Sequence, residues 1–217
     1  HLDKLAENKN IVAMVLTHYF GFPNAPDKAL QYCNKNNFSL IEDCAHSLYS
    51  HIDGRPLGSW GKYAIASSWK FLPSKDGALL LDNNKDPSDY FPALHKPSYL
   101  AEFKAFLAVL NTPRTRHSPI RPNLIQPDIL VNRARQIAAN AARQVGQNPS
   151  MTTFNAEKAR LTGLRFSRLL LSLIDHEWVS ERRRANYQRW VDDLGGITNA
   201  SPLYGSLPNG ITPYAFP

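Results

Sequence analysis

Three residues carry the chemistry this chain could do: Lys70, in Ser67-Ser68-Trp69-Lys70-Phe71-Leu72-Pro73, and Asp43 and His46, in Glu42-Asp43-Cys44-Ala45-His46. A lysine amine can form a Schiff base with an aldehyde, and a fixed carboxylate can keep a pyridine nitrogen protonated so that its ring accepts electrons. That pair, with a histidine beside it, is the equipment for pyridoxal phosphate chemistry. Each residue alone has an ordinary reading. An Asp at a strand end usually caps or turns the chain, a lone Lys is usually a solvated charge, and a lone His is usually structural. Their order and their strand contexts make the combination specific.

Position depends on the elements around them. Asp43 follows the apolar run Phe38-Ser39-Leu40-Ile41, which predicts a buried strand ending where open α/β sheets bind their ligands. His46 comes three residues later, within reach of the same pocket wall. A second strand, Tyr63-Ala64-Ile65-Ala66, delivers Ser67 and Lys70 to the same edge, with Ser67 able to donate to a phosphate. Further strands are predicted over Ile11–Leu16 and Ala78–Leu81, and one helix over Asp27–Asn36, with Asp27 capping it or adding negative charge to its first turn. The layout is βαβ, an α/β fold.

Four motifs in this order resemble the DegT/DnrJ/StrS family of fold-type-I pyridoxal-phosphate enzymes, chiefly sugar-nucleotide aminotransferases. They are Thr17 to Pro23 (THYFGFP), Ile41 to Ser47 (IEDCAHS), Gly54 to Gly61 (GRPLGSWG) and Ser67 to Gly77. Two weaker matches follow, at Arg182 to Tyr187 and at the closing Pro213-Tyr214-Ala215-Phe216-Pro217. The resemblance implies that Asp43 pairs with the pyridine nitrogen, His46 lies against the ring or its hydroxyl, Ser67 contacts the phosphate and Lys70 holds the Schiff base. His18 and Tyr19 become candidates for the substrate pocket wall. The chain departs from the family pattern in a spacer between serine and lysine shorter by two residues, and in Gly77-Ala78 standing for a glycine pair. Lys75 is therefore a rival to Lys70, which is preferred for its distance to Gly77-Ala78. The resemblance further implies a large-domain core of mostly parallel sheet flanked by helices, with an incomplete helical small domain. Family members are longer, so a fragment or a reduced relative is expected, one that binds the cofactor poorly alone.

Composition bounds the class. The chain has 217 residues, 43% hydrophobic, a net charge of +7 and two cysteines, Cys33 and Cys44, which form neither a disulfide framework nor a metal pattern. No apolar run approaches the ~20 residues of a membrane span, and a reduced, cytoplasmic setting is the expectation. The positive charge is uneven: residues 111 to 190 hold 14 Lys and Arg against 5 Asp and Glu, leaving the rest of the chain net negative. Arg133, Arg135, Arg143, Arg165 and Arg168 are scattered along helical patterns without a recognition motif, so nucleic acid is not the expected partner.

The expected organisation is residues 1–90 as part of the cofactor-binding domain, 91–160 as a helix, a Pro-rich linker and a basic helix, and 161–217 as the start of a small C-terminal domain. Helices are predicted over Tyr99–Leu110, Ile129–Val145 and Leu164–Leu194, the last stopped by Gly195-Gly196 and packing Leu169, Leu170, Leu173, Ile174, Trp178 and Val179 as core. Pro113, Pro119, Pro122 and Pro127 break the stretch between the first two. The expected function is a homodimeric aminotransferase moving nitrogen from an amino acid to a keto-sugar nucleotide. The alternative is a non-catalytic relative acting as a binding or regulatory partner.

Overall fold

The computed structural model describes residues 10–74, 76–84, 94–110, 156–194 and 201–217. Lys75, the predicted helix Ile129–Val145, the Pro-rich stretch and Gly195-Gly196 lie outside the described residues. The chain divides into one unit of His1–Leu110 with Thr162–Pro217 and a second of Asn111–Leu161, of which a short helix, Ala156–Ala159, is described.

The first unit is built on a four-stranded sheet. Strands β1 (Ala13–Thr17), β2 (Ser39–Cys44) and β5 (Tyr63–Ser67) run parallel in the order β1-β2-β5, and β6 (Ala78–Asp82) closes the edge antiparallel to β5. A two-stranded ribbon, β3 (His51–Ile52) with β4 (Arg55–Pro56), lies between β2 and β5 in sequence. Register pairs Thr17 with Asp43, Cys44 with Ala66, and Ser67 with Ala78. The segments that follow the three parallel strands therefore emerge at one edge. Period-two alternation sorts β2: Leu40, Glu42 and Cys44 are buried, while Ile41 and Asp43 share the other face with exposed Val15 and Ile65.

Helix α1 (Pro26–Asn36) covers the buried face. Pro26 fits its first turn, Asp27 complements the helix dipole there, Lys35 does so in the last turn, and Asn37 ends it in the left-handed conformation. The predicted start at Asp27 moves by one residue, and Asp27 enriches the first turn rather than capping, since Ala25 holds the cap position. Ala29 and Cys33 pack on Leu40, with Met14, Leu16 and Trp60 around them.

Helix α2 (Tyr99–Leu110) has its predicted bounds. The long helix predicted over Leu164–Leu194 is instead two, α4 (Arg165–Leu173) and α5 (His176–Leu194), counting Ala156–Ala159 as α3. Ile174 is extended, and the Asp175 carboxylate accepts the Trp178 N–H at 2.9 Å, so a new N-terminus begins there. Helix α4 borrows its caps. Asp76 accepts the Leu164 N–H at 2.8 Å, and the two oxygens of Glu102 accept those of Arg165 and Phe166 at 2.8 and 3.2 Å. Leu169, Leu173 and Trp178 are 53%, 73% and 56% exposed, so the expectation that they form core is corrected: Leu169 and Leu173, four residues apart, share the exposed face of α4. The core that does form here joins Phe22, Tyr187 and Ile211, with Phe22 stacked on Tyr204.

Candidate functional site

The turn after β1 brings His18-Tyr19-Phe20-Gly21 to the C-terminal sheet edge, with the His18 N–H donating to the Asp43 carbonyl at 3.0 Å. Phe20 (φ 58) and Gly21 (φ 100) both take positive φ. A side chain on Gly21 would run into the Thr212 carbonyl, because the C-terminal segment passes directly over this turn. Ser50 ties the two together. Its hydroxyl lies 2.6 Å from the Gly21 carbonyl and 3.2 Å from that of Thr212, and it accepts the Thr212 N–H at 3.0 Å. The Tyr214 N–H then donates to the Phe20 carbonyl at 2.7 Å.

Behind Asp43 stands Glu42, fully buried. One of its oxygens accepts from His18 Nε2 at 3.2 Å and the Gly58 N–H at 2.9 Å; the other accepts the N–H groups of Trp60 at 2.7 Å and Gly61 at 2.6 Å. Burial pushes the Glu42 carboxyl up, but His18 and these three N–H donors outweigh it and hold the group below its usual range. Asn83 grips the same loop from outside, donating to the carbonyls of Gly58 and Gly61 at 2.7 and 2.9 Å. Gly61 is required because a Cβ would sit 2.7 Å from the Leu40 carbonyl oxygen. His18 Nδ1 accepts the Asn24 N–H at 3.0 Å, so the ring proton sits on Nε2 and points to Glu42. His18 is 0% exposed with both nitrogens engaged, which corrects its expected place in the substrate wall. Tyr19 is 56% exposed. His18, Glu42 and Cys44 hold ligand-type atoms within 4.8 Å of one another, yet both Glu42 oxygens already take N–H donors. The Cys44 thiol is pushed up to about 12 by burial, so it stays protonated and inert.

On the open face, Asp43 Oδ1 accepts the Ala45 N–H at 3.0 Å, an Asx turn that fixes the carboxylate and starts the bend toward His46. His46 stacks on Tyr214 with ring centroids 4.6 Å apart and planes at 17°, and more loosely on Phe20 at 6.2 Å. Its Nδ1 is buried without a hydrogen-bond partner. Burial and the Lys70 ammonium hold His46 below its usual range, and Asp43 pulls the other way, so both charges act on this imidazole.

Ser67 ends β5 and leads into a 3-10 turn, Ser68–Lys70. Ser68 is buried, and both its N–H (2.7 Å) and its hydroxyl (3.0 Å) bond the Gly77 carbonyl, closing the loop that carries Lys70. Lys70 Nζ lies 5.9 Å from the Tyr214 ring centroid. Arg183 of α5 braces this arrangement, donating to the carbonyls of Tyr214 and Lys70 at 3.2 and 3.3 Å with its guanidinium 4.6 Å over the Phe71 ring. The structure thus brings His46 and Lys70 to the Tyr214 ring, with Asp43 close enough for its charge to act on His46 and Ser67 at the adjoining strand end. Sequence reasoning missed Glu42, Arg183 and Tyr214 as parts of the site. Glu42 carried a readable signal: period two places it between Leu40 and Cys44, and a carboxylate on a buried face must find donors.

Residues 4–105 match the DegT/DnrJ/EryC1/StrS aminotransferase family. Among solved structures, the aminotransferase TlmJ from Streptoalloteichus hindustanus aligns over 99% of this chain and 48% of its own, at 18% identity and a TM-score of 0.55. The chain shares that α/β fold. DesI, solved in the presence of its TDP-sugar product, is 27% identical over 39% of this chain and 22% of its own, with a TM-score of 0.35. PseC of Helicobacter pylori, an aminotransferase of pseudaminic acid biosynthesis, is 23% identical over 39% and 23%, with a TM-score of 0.36. The chain therefore spans less than half the length of each of these proteins.

Proposed function

We propose that this chain, whose residues 4–105 match the DegT/DnrJ/EryC1/StrS aminotransferase family, forms the lysine-bearing half of a pyridoxal-phosphate site that transfers an amino group from an amino acid to a keto-sugar nucleotide. The observation that carries this reading is that His46 and Lys70 both lie at the Tyr214 ring, with the charges of Lys70 and Asp43 both acting on His46, at the C-terminal edge of a parallel sheet. The donor set fits the cofactor. Asp43 presents a fixed carboxylate, and His46 carries a buried Nδ1 that lacks a partner. When bound, pyridoxal phosphate supplies an electron sink for the bonds of an attached amine. Asp43 would keep the proton on the pyridine nitrogen, Ser67 would donate to the phosphate, and Lys70 would hold the aldehyde and serve as general base and acid. Arg183 and the Ser68–Gly77 hydrogen bonds orient Lys70 from either side. Family resemblance also supports a homodimer and a cytoplasmic setting; among the described residues, no helix is long and apolar enough to cross a membrane.

Borohydride treatment of the protein loaded with pyridoxal phosphate, followed by peptide mapping, tests the assignment. The expected result is a label on Lys70. A label on Lys75 would move the role to that residue, and no label on either at cofactor concentrations that saturate the chain would overturn the cofactor reading.

A further inference from the structure

The loop that carries Lys70 is curled on itself. The Phe71 and Leu72 N–H groups bond the Ser68 carbonyl at 2.9 and 3.0 Å, the Ser74 N–H bonds the Leu72 carbonyl at 2.8 Å, and Ser68 donates twice to the Gly77 carbonyl. Two hydrogen bonds connect it to other elements: Arg183 donates to the Lys70 carbonyl at 3.3 Å, and Asp76 accepts the Leu164 N–H at 2.8 Å. The point that Asp76 grips is itself fixed. The Thr162 N–H bonds the His95 carbonyl at 2.8 Å, and Glu102 takes the N–H groups of Arg165 and Phe166 at 2.8 and 3.2 Å. Leu164 lies between these two anchors, so Asp76 fastens the lysine loop to a place that other bonds hold still.

We infer that Asp76 is a positioning residue for Lys70, tying its loop to the first turn of α4 so that the lysine amine stays beside the Tyr214 ring. The inference rests on the proposed role of Lys70 and adds the residue that keeps it in place. Helix α4 already has two of its first N–H groups satisfied by Glu102, so a second acid is not needed to start it. Asp76 is nevertheless held there at a cost, because its Oδ1 is buried without a partner. It directly precedes Gly77, whose carbonyl takes both Ser68 bonds and closes the loop. Without the Asp76 tie, that closure can open without working against α4. A Schiff-base lysine must meet one atom within a narrow tolerance, and a loop that opens more often presents its amine less often.

Hydrogen–deuterium exchange over residues 68–77 of the whole chain, without cofactor, tests the tie. The parent, Asp76→Ala, Asp76→Asn, Leu164→Pro and Glu102→Ala are compared, with circular dichroism melts to show that each folds. Leu164 has φ −59, which proline adopts, so Leu164→Pro removes the donor without touching the lysine loop. Exchange should rise about tenfold or more in Asp76→Ala and in Leu164→Pro, the scale of one charge-assisted hydrogen bond, and no further when the two are combined. Asp76→Asn keeps an acceptor oxygen and should stay close to the parent. Glu102→Ala strips two N–H groups of the same helix, so it should lower the melting temperature and leave 68–77 unchanged. Parent-like exchange in Asp76→Ala or in Leu164→Pro overturns the inference. Loosening of 68–77 by Glu102→Ala as large as by Asp76→Ala also overturns it, since Asp76 would then be only a helix cap. Borohydride labelling of Lys70 at cofactor concentrations below saturation should fall about tenfold in Asp76→Ala and recover in Asp76→Asn. Loosened exchange with that label unchanged removes the positioning role alone. A parent left unlabelled at saturation removes the cofactor reading alone, because exchange judges the tie without cofactor.

Discussion

The Tyr214 ring lies on the imidazole of His46, their planes 17° from parallel, although 168 positions separate them in the chain. Backbone contacts hold it there: its N–H bonds the Phe20 carbonyl and its own carbonyl accepts from Arg183. Tyr214→Ala is expected to expose the His46 face at a cost of about 1 kcal/mol for the lost ring pair. Carbethoxylation of His46 by diethylpyrocarbonate, followed by mass spectrometry, should run faster in the Ala variant and unchanged in Tyr214→Phe. Equal rates in all three would mean that Tyr214 does not cover His46.

The charges around His46 predict its titration. Burial and Lys70 depress its affinity for a proton in the folded chain, while Asp43 restores part of it. Lys70→Met should therefore raise the His46 pKa and Asp43→Asn should lower it, both read from imidazole proton shifts by NMR. Because the folded value lies below the unfolded one, the unfolded chain takes up the proton first. Stability is unaffected above the unfolded pKa of about 6.5 and falls as pH drops from there to the folded value. A Lys70→Met protein whose His46 titrates lower than in the parent would contradict this arrangement.

What was legible in the sequence follows physical range. The strands over β2, β5 and β6 and the helix Tyr99–Leu110 were read within a few residues, because hydrophobic period and turn residues are local signals. The shared edge of Asp43, His46, Ser67 and Lys70 is also legible, since each lies at or just beyond the end of a strand and parallel strands end together. His18 misled because a histidine at a strand end reads the same whether it faces solvent or a buried carboxylate on the next strand. Tyr214 and Arg183 reach the site through backbone hydrogen bonds to Phe20 and Lys70, partners more than a hundred residues away that no local pattern encodes. The break at Ile174–Asp175 depended on a single side-chain cap inside an otherwise periodic run.

Gly77 should tolerate no side chain. Its φ is +140, and a Cβ would overlap the Ser68 hydroxyl that bonds the Gly77 carbonyl. Gly77→Ala is expected to cost about 1–3 kcal/mol from backbone strain alone. Urea denaturation measures it. Adding Ser68→Ala should recover the steric part and leave the φ cost, so full recovery in the double variant would show that conformation was not limiting.

Glu42→Gln tests the buried anchor behind Asp43. The carboxylate accepts four hydrogen bonds, and an amide would turn an NH₂ toward N–H groups already pointing at that position. Leaving those donors unsatisfied should cost about 1–3 kcal/mol for each group that loses its acceptor, enough to loosen the Gly58–Gly61 loop. The pH dependence separates charge from shape. The folded pKa of Glu42 lies below its ordinary value, so its contribution is complete above about pH 4.3 and is lost as pH falls through the folded pKa. Urea midpoints of parent and Glu42→Gln should therefore differ most near neutral pH and converge under acid, once the parent carboxyl is protonated too. Parallel curves down to pH 2 would show that packing, and not the anionic acceptor, sets the stability of this loop.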